Sequence, residues 1–74
     1  MFKRDMLDAL KKKYEAEVDV AKATIEVYLH KAVGIGEHPQ FVDEIDKQLE
    51  IIGCALDKLR VIEKYYPNED DIPF

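Results

Sequence analysis

Apolar positions recur at helical spacing through two long stretches of this chain, separated by a short run of turn residues. From about residue 4 to 33, Leu7, Leu10, Tyr14, Val18, Ala21, Ile25, Tyr28, Leu29 and Ala32 follow steps of three and four, which places them on one face of a helix. Neither Gly nor Pro interrupts this span. The step from Tyr14 through Val18 to Ala21 departs from a strict heptad, so the seam predicts a nearly straight hairpin rather than a tight supercoil. A second helical pattern runs from about 39 to 66, with Phe41, Val42, Ile45, Leu49, Ile52, Leu56 and Leu59 as its expected seam.

The punctuation between them is specific. Gly34 suits the left-handed position past a helix end, with Ile35 able to pack back on Leu29. Pro39 is preset for a first helical position and disfavours helical dihedrals at His38, which marks His38 as the expected N-cap. A turn over 34–38 makes the helices antiparallel neighbours. Pro67 stops the second helix, and residues 67–74 read as a flexible acidic tail. The chain thus predicts one all-α domain, an antiparallel two-helix hairpin over residues 1–66.

A second apolar line changes the picture. Ala9, Ala16, Val20, Ala23 and Val27 lie roughly opposite the main seam of helix one, and Ile51, Ala55, Ile62 and Tyr65 flank that of helix two. Alanine is a good helix former and needs no partner, but Val20 and Val27 have lower helix propensity and gain nothing in water. Helices of about 28–30 residues are also roughly 42–45 Å long, far longer than a compact monomer of this mass requires. The expected state is therefore a homo-oligomeric helical bundle, most simply a C2 dimer of hairpins forming four helices. The expected interface residues are Val20, Ala23, Val27, Ile51, Ala55 and Ile62, and Glu at both Val20 and Val27 is expected to dissociate the assembly. Gly53, inside helix two, either permits close approach by another backbone or is a tolerated surface glycine.

Composition narrows the functional classes. The 74 residues carry a formal charge of −5, which disfavours an unaided nucleic-acid binder. The exception is local: Lys3, Arg4, Lys11, Lys12 and Lys13, against Asp5 and Asp8, make the first thirteen residues basic. Lys11, Lys12 and Lys13 are candidate phosphate contacts, and they support an alternative reading as a nucleic-acid-associated accessory protein. A single cysteine, Cys54, allows no intrachain disulfide and gives no sign of an oxidising compartment. No stretch reaches the roughly 18 uncharged apolar residues of a membrane span, and acids and lysines interrupt any signal-peptide core. A cytoplasmic protein without membrane contact is expected.

Catalytic chemistry finds little footing. Helical di-metal sites use Glu with Glu-x-x-His, whereas Glu26 and His30 stand four apart and have no counterpart elsewhere. His30 and His38, on either side of the turn with Glu37 nearby, are a candidate metal pair, but capping accounts better for His38. A metal-dependent nucleotide hydrolase would need acids on an inward face, and Asp43, Glu44, Asp46 and Glu50 mostly point away from the seam. Cys54 has no nearby His to form a thiolate pair. No enzyme activity, cofactor or metal is expected.

The run Val27-Tyr28-Leu29-His30-Lys31-Ala32-Val33-Gly34-Ile35-Gly36-Glu37-His38-Pro39, the acid-rich start of helix two and Lys64-Tyr65-Tyr66 resemble small proteins of contractile-tailed bacteriophages of marine cyanobacteria and related marine phages. The resemblance is strongest over about residues 27 to 66 and weaker before them. It implies a short helical viral accessory protein without assigned activity, which would work in the host cytoplasm with another phage or host protein, and it supplies no catalytic residues.

Overall fold

A computed structural model describes residues 3–33 and 39–67, and these residues form two helices and no strand. Helix α1 is Lys3–Val33 and helix α2 is Pro39–Tyr65, each within a residue of the span that its pattern predicts. The expected caps at Gly34 and His38, and the tail from 68 to 74, lie outside the described residues. α2 begins at Pro39, where a fixed φ and a missing N–H cost a helix nothing.

The helices pack against each other along their lengths, antiparallel. Tyr28 meets Phe41 at a ring-centroid distance of 5.5 Å near one end. Lys58 Nζ sits 5.1 Å from the Tyr14 ring centre further along. At the far end the Arg4 guanidinium donates to the Tyr66 carbonyl oxygen at 2.7 Å. The resulting rod is about 46 Å long, at 1.5 Å per residue over the 31 residues of α1, far from the shape of a compact domain of this length, whose radius of gyration is about 11 Å.

The seam differs in phase from the expected one. On α1 Arg4, Leu7, Lys11, Tyr14, Val18, Ala21, Ile25 and Tyr28 turn at least partly inward in an alternation of three and four, with Asp8, Glu17 and Thr24 half-buried beside that line. Leu10 and Leu29, expected in the seam, stand at its edges and are exposed. Lys11 occupies the place expected for Leu10, since a long aliphatic stem covers apolar surface while its ammonium stays in water. The departure from a heptad expected at Tyr14, Val18 and Ala21 is absent, since these stand four and three apart; the one irregular step, from Leu10 through Tyr14 to Val18, disappears when Lys11 takes the place of Leu10.

On α2 Phe41, Ile45, Gln48, Ile52, Ala55, Leu59 and Ile62 turn inward, again in heptad spacing, with Glu44 half-buried beside them. Val42, Leu49 and Leu56 were expected in the seam and are instead exposed, Leu49 at 55% and Leu56 at 45%. Both frames share Ile45, Ile52 and Leu59, so the facing helix decides between them. In the register set by Tyr28 and Phe41, bulky Tyr14 falls level with small Ala55, and Ala21 with Gln48. Rotating Leu56 into the place of Ala55 would set two large side chains against each other, which close-packed helices do not accommodate.

Arg4 fastens the open end of the hairpin. Its Nε donates to Asp8 at 3.0 Å while its other arm satisfies the Tyr66 carbonyl, just past the end of α2, where carbonyls lack helical partners. Tyr66 N–H in turn donates to the Ile62 carbonyl at 2.8 Å. Both Arg4 contacts are solvent-accessible, so Arg4→Ala is expected to cost only about 0.5–1 kcal/mol. The loss should be local: amide hydrogen exchange at Tyr65 and Tyr66 accelerates while the melting temperature barely moves. Unchanged exchange there would mean that the contact fastens nothing.

Candidate association surface

The hairpin covers little of its own apolar surface. Among the described residues, the buried hydrophobic side chains are Ala21, Ala55 and Ile62. Two helices meeting along one line shield only the inner positions of each heptad, so the flanking positions form two long edges.

One edge is grooved. Leu10, Tyr14, Val61 and Lys58 line a shallow depression towards the open end, and Ala16, Val20, Ile51 and Lys13 line another nearer the middle. Between them, Glu17, Cys54 and Lys58 line a more polar stretch. Lys58 lies over Tyr14, a contact that covers part of the ring while leaving the ammonium in solvent. Thr24, also on this side of α1, bonds back to the Val20 carbonyl at 2.8 Å and so spends its hydroxyl locally.

The other edge combines leucines and charges. Val42, Leu49 and Leu56, at intervals of seven, run along α2, with Leu29 of α1 at the turn end and Gly53 between the two leucines. Beside them α1 presents Asp8, Glu15 and Lys22, which occupy the equivalent heptad positions.

The six expected interface residues therefore divide. Val20 is 65% exposed, Val27 50% and Ile51 40%, and Ala23 is also exposed, so these four remain open to a partner. Ala55 at 2% and Ile62 at 7% are enclosed within the hairpin, and their assignment to an outer interface is corrected. The phase shift of α2 is the physical reason: turning Leu49 and Leu56 outward turns Ala55 and Ile62 inward. Sequence reasoning missed the Val42, Leu49 and Leu56 stripe as an outer feature, although its exact seven-residue repeat was a signal that it forms a line of its own.

The three candidate phosphate contacts do not share a face. Successive helical residues point about 100° apart. Lys11 turns into the seam, Lys12 towards the acid-rich side and Lys13 into the groove. Arg4 is held by Asp8 and the Tyr66 carbonyl. A run that is dense in sequence is thus dispersed in space, which weakens the grip it would have on a phosphate backbone.

Nor do other polar groups converge. Among the described residues no group of three or more His, Cys, Asp or Glu is placed to hold a metal ion. Glu26 and His30 are exposed on α1, and His38 lies outside the described residues. Cys54 is a free, exposed thiol. The hydrogen bond of Lys47 to Glu44, at 3.1 Å, together with the attraction of that carboxylate, holds the Lys47 ammonium above the usual lysine range. Glu44 with Lys47, and Asp57 with Arg60 at 3.3 Å, are pairs one helical turn apart on the surface. No described helix is long and apolar enough to cross a membrane. Comparison with protein-family models, with curated proteins and with solved structures gives no significant match for this chain.

Proposed function

We propose that this chain is a self-associating helical hairpin, most simply a C2 dimer forming a four-helix bundle, and that it works as an interaction or structural module rather than as an enzyme. The surface area carries this reading. A compact 8.6 kDa monomer is expected to expose about 4,700 Å², and the whole chain, with the residues outside the two helices included, exposes 6129 Å², roughly 1,400 Å² more. A standard interface removes about 800 Å² from each partner, so the excess is large enough for one and leaves a remainder. Much of it is apolar, since Val20, Val27, Leu29, Val42, Leu49 and Leu56 all stand in water on a single copy.

The likeness of residues 27–66 to small helical proteins of marine phages supports a role as a viral accessory protein in the host cytoplasm, with a second copy and another phage or host protein as partners. Light scattering on the purified chain tests the association directly. The expected mass is at least twice 8.6 kDa at micromolar concentration. A single 8.6 kDa species up to the millimolar range would overturn the proposal.

A further inference from the structure

We infer that a second copy of this chain packs on the leucine edge, helix α2 against helix α2 of the partner, antiparallel and centred on Gly53. The inference rests on the self-association reading and names its face and register. Asp46, Leu49, Gly53, Leu56 and Arg60 follow one another at steps of three, four, three and four, so they form a single outward line, and all five are exposed. The line is nearly symmetric about Gly53. An antiparallel copy with Gly53 opposite Gly53 sets Leu49 against the partner's Leu56, and Asp46 against the partner's Arg60. The two-fold axis makes each contact twice. Apolar therefore meets apolar and negative meets positive in the same register.

Gly53 is the second observation. A Cβ built on it meets nothing within 4 Å, so the hairpin itself has no steric need for glycine there. Inside a helix glycine costs roughly 0.8–1.0 kcal/mol relative to alanine. At the crossing point of two α2 helices the missing side chain lets the backbones approach and the flanking leucines interdigitate. The local pair of Arg60 with Asp57 is highly exposed on both sides and holds the guanidinium weakly, so Arg60 is available to the partner's Asp46.

Charge reversal tests the register, with sedimentation equilibrium as the readout. In Asp46→Arg, two arginines face each other at both ends of the contact, and the dimer Kd is expected to rise by about tenfold or more. Adding Arg60→Asp to the same chain restores opposite charges and should return the Kd to within about threefold of the parent. Gly53→Leu should weaken association while raising helix content, because leucine is the better helix former. Glu at Val20 and Val27, on the grooved edge, should leave the dimer intact, the reverse of what the apolar pattern of α1 alone leads one to expect, because this register places the contact on the other edge. A parent chain that is monomeric overturns the self-association reading and this inference together. A dimeric parent that is indifferent to Asp46→Arg and Gly53→Leu, or that dissociates when Val20 and Val27 are changed, overturns the α2 register alone.

Discussion

Ile62→Ala is expected to lower the unfolding free energy by about 2–5 kcal/mol, the cost of emptying a well-enclosed branched side chain. The same truncation at Ile51 should cost less than about 1 kcal/mol. The two residues have the same chemistry and sit eleven positions apart on one helix. They differ in that Ile62 is 7% exposed and Ile51 40%. Ile62 is the one large side chain among the three buried hydrophobic residues described, so its removal takes a large share of a small core. For a domain of this length each kcal/mol shifts the melting temperature by about 4–8 °C, so Ile62→Ala should melt at least about 10 °C lower, against a few degrees for Ile51→Ala. Thermal denaturation followed by circular dichroism measures both. Equal shifts would place the two isoleucines in equivalent surroundings and contradict the phase of α2.

That contrast marks the boundary between what was legible in the chain and what was not. Helix existence and length were legible, because nothing between Lys3 and Val33 breaks a helix and because Pro39 and Pro67 bracket the second one. Rotation about the helix axis was not. On α2 the apolar stripe is wider than one partner helix can cover, and Ile45, Ile52 and Leu59 belong to either frame. Hydrophobicity favours Leu49 and Leu56 as the remaining members; packing against Tyr14 favours Ala55, which puts Gln48 and Ile62 beside it. The choice depends on side-chain volumes across the seam, to which a periodicity count along one helix is blind. Leu10 and Lys11 illustrate the same point on α1, where a charged residue with a long stem takes an inner position and a leucine is left at the edge. The association surface inherited this ambiguity. Exposed apolar residues were expected on both helices and are present, while Ala55 and Ile62 exchanged places with Leu49 and Leu56.

If copies of the hairpin shelter one another, the melting temperature must depend on protein concentration. Dilution favours separated chains, so unfolding that is coupled to dissociation occurs at lower temperature in dilute solution. The size of the effect follows from the unfolding enthalpy. At about 0.7 kcal/mol per residue, a pair of 74-residue chains absorbs on the order of 100 kcal/mol on unfolding near 60 °C. An enthalpy of that size moves the midpoint by about 5 °C for each tenfold change in concentration. Raising the concentration from 1 μM to 100 μM should therefore raise the midpoint by about 10 °C in calorimetry or circular dichroism. An isolated hairpin unfolds in a unimolecular step, and its midpoint would stay fixed across the same range. The measurement also separates folding from assembly: a fixed midpoint alongside a dimeric mass at low temperature would mean that each hairpin folds alone and pairs afterwards through surfaces it can do without.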